Sequence, residues 1–450
     1  MVKETIGLLG GGQREAAIAE GLSVGKNTNI ISIGTNNPQI CSLAIKNVEE
    51  TDPDKLAKLL HELQVKTVVP GSEGYLKLGG ELEKRGFRTV GPSIETNFIE
   101  LNKARTIKFL KKIGMGSYLP ESRICKGPKS VGRAFKILEN WYPDGIVIKP
   151  SKPSGGKGVK LREHFANISE AKEYLRYLLV WKKQAVVIQK EISGIEFALQ
   201  AFVDIFGHTA FMPPVFDCKR RYAGDRGPNT GSTGSVTGKN GKLPFVPESA
   251  VEKAKELMRL IILSLKTYKG VLYGQFMLTR DGIKIIEFNA RFGDPEACNV
   301  IPLLDTEKGA NLAEIFRAIV NGTLNKLNIR FRSNPTVVKC VFPELYPEKS
   351  EPFQVHINGT NLPVKMYFGN VATKNGGGFF TTNSRSFAIM AEAEGGDISE
   401  AAEIVNGAIE QIFDGQLGKG MLDYRPDIGT DEHIEVQIEK LKSILDLAGL

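Results

Sequence analysis

Residues 286–296 read IEFNARFGDPE: a carboxylate, an amide, a guanidinium and two more carboxylates, all at the end of an apolar run. Side chains alternate faces along a strand, so Ile285, Glu287 and Asn289 are expected on one face, with the last two roughly 6–7 Å apart. A carboxylate and an amide oxygen so placed suit Mg²⁺, a hard ion that takes oxygen ligands and leaves positions for phosphate and water. Arg291, two residues on, would meet an anionic reactant or the charge developing on a transferring phosphoryl group. Asp294 and Glu296 are expected to fix Arg291 or cap the turn.

Two glycine-bearing stretches extend this chemistry. In GIVIKPSKPSGGKGVKL (145–161), Lys149 ends an apolar run, and Gly155, Gly156 and Lys157 lie in a loop that lets backbone amides approach phosphate oxygens. It is no Walker loop: Val159 follows the GKG and a strand, not a helix, comes next. A solvated hairpin is the alternative reading of this loop. In FDCKRRYAGDRGPNTGSTGSV (216–236), the charged residues Asp217, Lys219, Arg220 and Arg221 precede Pro228, Asn229, Thr230 and Gly231. That composition predicts a loop of amides and hydroxyls wrapping a polar, phosphate-bearing ligand. The five histidines lie outside these motifs, and no GxSxG, HExxH or Cys–His pairing offers nucleophilic or zinc chemistry. What is left is phosphoryl transfer by positioning and electrostatics.

The elements that must hold these groups read as strands and helices in alternation. TIGLLGGGQREAAIAEGLSV (5–24) is strand, glycine turn and helix; strands at 30–34, 67–71 and 87–91, with a helix at 53–63, complete a small parallel α/β domain. The second strand ends without an acidic residue for a ribose, so the glycine turn is no dinucleotide site, although a phosphate at the helix N-terminus fits. FIELNKARTIKFLKKI (98–113) predicts one basic helix. Residues 250–268 predict an amphipathic helix with Leu257, Leu260, Ile261 and Leu265 on one face. After residue 330, short strands and helices at 398–413 and 431–448 suggest a separate α+β domain. In the hairpin 270–290, a three-residue loop 280–282 would set Gln275 opposite Glu287 as a further oxygen donor, and a two-residue Asp281-Gly282 turn would face it away.

At 450 residues the chain predicts about three domains. The formal net charge of +8 comes with no Lys/Arg block longer than three residues and no aromatic–basic interleaving, which favours phosphorylated small molecules over nucleic acid. The opening MVKETIGLLGGGQRE fits no signal peptide, and no stretch approaches the roughly 20 apolar residues of a membrane span. Five scattered cysteines predict reduced thiols in a cytoplasmic protein.

The strand–GGKG–strand lid and the E-F-N strand end together resemble the ATP-grasp ligases. GPNTG followed about sixty residues later by EFNARFGDPE is similar, more narrowly, to the glycinamide ribonucleotide synthetase (phosphoribosylamine–glycine ligase) family. VGPSIETNFIELNKARTIKFL, GVLYGQFM and YRPDIG (424–429) carry the likeness over most of the chain. The resemblance implies an N-terminal α/β substrate domain (1–103), an ATP-grasp domain (104–325, lid about 126–192) and a C-terminal α+β domain (326–450). It implies ATP contacts from Lys103, Lys149, Gly155, Gly156, Lys157, Gln189 and Glu196, and Mg²⁺ or Mn²⁺ on Glu287 and Asn289. It also implies catalytic roles for Arg291, Lys219 and Asp217, and substrate contacts from Gly12, Arg14, Glu15, Pro228, Asn229, Thr230 and Gly231. The expected reaction joins glycine to 5-phosphoribosylamine in a monomer or small homo-oligomer. A different acid–amine pair and a nucleotide-binding protein without turnover are the alternatives. Gln13-Arg14-Glu15-Ala16, Asp217-Cys218-Lys219-Arg220, the Ser232-Thr233 of GPNTGSTG, and Gln189 depart from the family's pattern.

Overall fold

Runs of Ile, Val and Leu that are apolar on both faces belong in a parallel sheet sandwiched between helices. The computed structural model, which describes residues 3–25, 27–152, 158–359, 361–373, 378–418 and 420–448, begins with such a sheet. Its strands run Lys46–Val48, Thr28–Ile33, Glu4–Leu9, Thr67–Pro70 and Arg88–Thr89, all parallel. Ile6, Leu8, Ile31, Ile33 and Val68 are buried within it. Asp52 caps helix Pro53–Glu62 through the amides of Asp54 and Lys55.

A second sheet, antiparallel and four-stranded, orders Ser122–Lys126, Ala185–Lys190, Ile146–Pro150 and Lys160–Leu161. Helices Val131–Trp141 and Ile168–Arg176 cover it, closing a small core of Leu138, Ile146, Ile148, Leu175, Val186 and Ile188. A third antiparallel sheet orders Thr209–Phe211, Ile195–Val203, Gly270–Thr279 and Gly282–Asn289. Helix Glu248–Leu265 packs on it through Leu257, Ile261 and Leu265, while Leu260 is exposed, off the expected face. The last large sheet joins Phe216–Tyr222 and Arg226–Thr237 to Thr336–Pro343, Phe387–Glu392 and Lys365–Phe368. Strands from both sides of residue 326 therefore share one sheet. No helix among the described residues is long and apolar enough to cross a membrane.

Three local expectations are corrected. The predicted helix over 98–113 is two, Phe98–Leu101 and Lys103–Lys112, broken at Asn102. Ser151 fixes that break: its Oγ donates to Asn102 Oδ1 (2.9 Å) and its carbonyl accepts from the Lys103 amide (2.9 Å). The GPNTG segment lies within strand Arg226–Thr237, not in a loop, although register shifts interrupt its pairing at Cys218, Arg220 and Tyr222. In the 270–289 hairpin Thr279 pairs with Gly282, so the connection is Arg280-Asp281, neither of the predicted turns; Gly282 itself takes φ +83°.

Candidate active site

The register of that hairpin decides which side chains face outward from the core. Phe276 pairs with Ile285 and Gln275 with Glu287, so Ile286 is an extra residue and the strand bulges there. The bulge switches parity: Ile283, Ile285, Phe288 and Ala290 join the hydrophobic core, and Glu287 and Asn289 point the other way. Ile285 is thus not on the Glu287 face, contrary to simple alternation. Gln275 does sit opposite Glu287, by a bulge where a longer turn was expected. Its amide Nε2 donates to Glu196 Oε2 (2.8 Å) and its Oε1 accepts from the Tyr273 hydroxyl.

Around this face the chain gathers cations. Lys103, at the start of its helix, donates to Glu287 Oε2 (2.7 Å). Lys219 pairs with Glu196, and Lys149 is buried at the end of the lid strand Ile146–Pro150. Burial alone would raise the Glu287 carboxyl; Lys103, Lys149 and Lys219 outweigh it and hold the group down, to about 2. For Lys149 burial wins: its ammonium falls from 10.5 to about 8, with Glu287 and Glu196 attracting it and Lys103 and Lys219 repelling it. Burial would lower Lys103 and Lys219 as well, but their carboxylate partners raise both. Three ammonium groups held near two carboxylates form a site for a polyanion.

Beyond Gln275 a chain of polar contacts runs from Tyr273, whose hydroxyl also meets Glu296 Oε1 (2.8 Å). Burial first, then the nearby charge of Glu296, pushes the Asp217 carboxyl above the ordinary carboxylate range, against the pull of Lys219. Its Oδ1 is buried with no protein partner. Arg291 donates through Nε to Glu100 Oε1 (3.0 Å) and through Nη1 to the Phe292 carbonyl (3.0 Å). Asp294 and Glu296 do not fix it. The turn after Gly293 carries them to other partners: Asp294 to Arg385 (3.0 Å) and Gln13 (2.8 Å), Glu296 to Tyr273.

At the first glycine turn, Gly12 caps helix Gln13–Ser23 and its amide donates to Glu15 Oε2 (2.7 Å). The protein's own carboxylate therefore accepts from the first amide of the helix N-terminus. A Cβ on Gly71 would lie 2.5 Å from Glu15 Cγ, so the carboxylate is closely packed there. Arg14 pairs with Glu15 (2.8 Å) and reaches the Phe292 carbonyl (3.3 Å), which brings this turn to the strand end that carries Arg291. In the GPNTG strand, Thr230 Oγ1 donates to the Lys219 carbonyl (2.9 Å), and the Gly231 amide donates to the Tyr346 hydroxyl (3.0 Å). Pro228 is exposed and Asn229 half-buried opposite Arg220. Gln189 is held inside the lid sheet, donating to Ser122 Oγ (3.0 Å). Gly155, Gly156 and Lys157 lie outside the described residues.

Glu100, Tyr273, Tyr346 and Arg385 escaped the sequence reading. Arg385 Nη1 donates to the carbonyls of Gly231 (2.8 Å) and Asp294 (2.9 Å), binding the GPNTG strand to the strand-end turn. It stands in an unremarkable Ser-Arg-Ser with no spacing to announce it. Glu100, between two apolar residues, was legible only as an out-of-place carboxylate in an apolar–basic helix.

Glu287 and the amide oxygens of Asn289 and Gln275 are hard donors, and no group of three or more His, Cys, Asp or Glu converges on one point among the described residues. A donor set with few carboxylates fits Mg²⁺ or Mn²⁺ carried in with phosphates, better than a calcium cage or a zinc centre.

A lid sheet and a core sheet that meet over clustered lysines and an E-x-N strand end define an ATP-grasp ligase. A family model of the phosphoribosylglycinamide synthetase N domain matches residues 4–100, and that family's ATP-grasp (A) domain matches residues 104–297. Phosphoribosylamine–glycine ligase of Methanosarcina acetivorans is 37% identical over 456 residues, covering 98% of each chain. That of Methanosarcina barkeri is 37% identical over 451 residues, 97% of this chain and 99% of the relative. The crystal structure of phosphoribosylamine–glycine ligase from Thermotoga maritima superimposes with a TM-score of 0.76 at 24% identity, over 94% of this chain and 99% of that one. The chain belongs to the phosphoribosylamine–glycine ligase (phosphoribosylglycinamide synthetase) family.

Proposed function

We propose that this enzyme joins glycine to 5-phosphoribosylamine at the expense of ATP, the ligation step that family membership assigns to de novo purine biosynthesis. The observation that carries the reading is the convergence of Lys103, Lys149 and Lys219 on the Glu287–Asn289 strand end. A carboxylate is a poor electrophile, so the γ-phosphoryl group passes to a glycine carboxylate oxygen, giving glycyl phosphate and ADP. The amine nitrogen then attacks the acyl carbon, and phosphate leaves with one of glycine's oxygens. Lys103, Lys149 and Lys219 hold the phosphates, and Arg291 neutralises charge on the group in flight. Glu287 and Asn289 would hold Mg²⁺ or Mn²⁺, which neutralises phosphate charge when bound. Asp217, with its unpartnered Oδ1, is the candidate acceptor for the amine proton. Arg14, Thr230 and Gly231 would enclose the amine substrate, and Glu196 would contact the nucleotide. The lid, within residues 126–192, excludes water from the acyl phosphate. The division at about residues 103 and 325, and a cytoplasmic location consistent with five free cysteines, belong to the same proposal.

With ¹⁸O-labelled glycine, labelled inorganic phosphate should appear in step with ADP. Label in AMP would refute the acyl-phosphate route. Labelled phosphate from another amino acid, but not from glycine, would keep the mechanism and refute the substrate.

A further inference from the structure

The strand Gly282–Asn289 lies at the edge of its sheet, and its last ladder pair is Tyr273 with Asn289. Beyond that pair the backbone has no strand neighbour, yet Arg291 must be aimed within a fraction of an ångström to be of use. One residue supplies the missing order. Glu100 Oε2 accepts from the Ala290 amide (2.7 Å) and Oε1 accepts from Arg291 Nε (3.0 Å). Its side chain is only 2% exposed. A buried carboxylate is costly unless its oxygens are matched, and here both are matched by the two groups that set the direction of one side chain. With Nε so engaged and Nη1 on the Phe292 carbonyl, the guanidinium is held at two corners, and Nη2 lies 3.9 Å from Glu73.

We propose that Glu100 is the positioning residue for Arg291 in phosphoryl transfer, acting through the Ala290 amide and the guanidinium without touching substrate. The helix break at Asn102 serves the same end. The short segment before it delivers Glu100 to the strand end at 290–291, and the helix after it delivers Lys103 to Glu287. Both sides of the metal-binding strand end are thereby set from one junction.

The role rests on the ligase reading, and the test separates the two. A Glu100→Gln amide keeps the shape, but its NH₂ must face either the Arg291 Nε–H or the Ala290 N–H, donor against donor, so one contact is lost either way. In steady-state assays with ATP, glycine and phosphoribosylamine, E100Q should lower kcat about 10- to 100-fold, the loss expected of one charge-assisted hydrogen bond. KM for ATP should stay near the wild-type value, because the lysines still hold the phosphates. Glu100→Asp keeps the charge and should recover part of kcat. In an Arg291→Ala background, E100Q should cost nothing more, since Glu100 would then have no guanidinium to aim. Wild-type kcat in E100Q, or losses that multiply in the double variant, would overturn the role while leaving the ligase reading intact. If E100Q does not fold, the same cycle run with E100D decides by the same criterion. A wild-type chain without turnover would overturn the ligase reading and this role with it.

Discussion

Lys149 is asked to be a cation in a place that discourages charge, and that conflict has a measurable pH signature. Burial lowers its ammonium from 10.5 to about 8, against the pull of Glu287 and Glu196 and with the push of Lys103 and Lys219. That lowering corresponds to about 3 kcal/mol of burial cost not recovered in the unliganded protein. Two consequences run in opposite directions. Phosphate binding needs the charged form, so kcat/KM for ATP, which reports the free enzyme, should fall about tenfold per pH unit above pH 8. Stability behaves otherwise. The folded-state value lies below the unfolded one, so the cost is fully present below pH 8 and is relieved as pH rises from 8 toward 10.5. Lys149→Arg keeps a charge throughout this range, and its activity profile should lose the alkaline limb. Lys149→Met removes the buried charge; at pH 7 it should unfold no earlier than wild type, and up to several degrees later, while losing affinity for ATP. Initial rates of ADP release from pH 6.5 to 9.5 at saturating glycine, with thermal melts at the same pH values, provide both readouts. An alkaline limb of the same midpoint in K149R would refute the assignment of the titration to Lys149. A K149M variant markedly less stable than wild type at pH 7 would refute the argument that its charge is held there at a cost.

Other perturbations test the rest of the site. Glu287→Gln keeps the side chain's shape but removes charge from the proposed metal site, and turnover should fall by roughly two orders of magnitude or more. The Glu287 side chain is 34% exposed and that of Lys103 20%, so solvent screens part of the ion pair and its loss should cost about 1–3 kcal/mol of stability; near-wild-type turnover would dismiss the metal assignment. Gly194→Ala would place a Cβ 2.1 Å from the Leu278 carbonyl oxygen and 2.7 Å from Met277 Cγ, where strand Ile195–Val203 begins its pairing with Gly270–Thr279. Because backbone cannot swing aside as a side chain can, the substitution should cost about 2 kcal/mol in urea unfolding. An unchanged midpoint would show that the two strands separate there without penalty.

Where the sequence is legible, the physics is local. The parallel sheet announces itself because Ile30, Ile31 and Ile33, or Val68 and Val69, must be apolar on both faces. The strand end at 287–291 stands out because charge is dense where a turn would ordinarily suffice. What stayed hidden depends on which partners the folded chain supplies. FIELNKARTIKFL has unbroken helical periodicity and no proline or glycine; Asn102 caps the second helix through the Arg105 amide, and Ser151, 49 residues beyond, holds that cap in place. GPNTGSTG has the composition of a loop. Its irregular pairing with Phe216–Tyr222, through Arg220 with Asn229 and Cys218 with Gly234, makes it a strand, and only its last residue, Gly234, meets Thr336–Pro343; β preference depends on the neighbours a strand finds. The bulge at Ile286 shows how far a one-residue effect reaches. Without it, strict alternation would put Glu287 and Asn289 on the side of Ile285, in the core. With it, the core keeps Ile285 and Phe288 while the carboxylate and amide emerge together beside Lys103. The E-x-N spacing was readable in the chain, but the face it presents is set by the extra residue just before it.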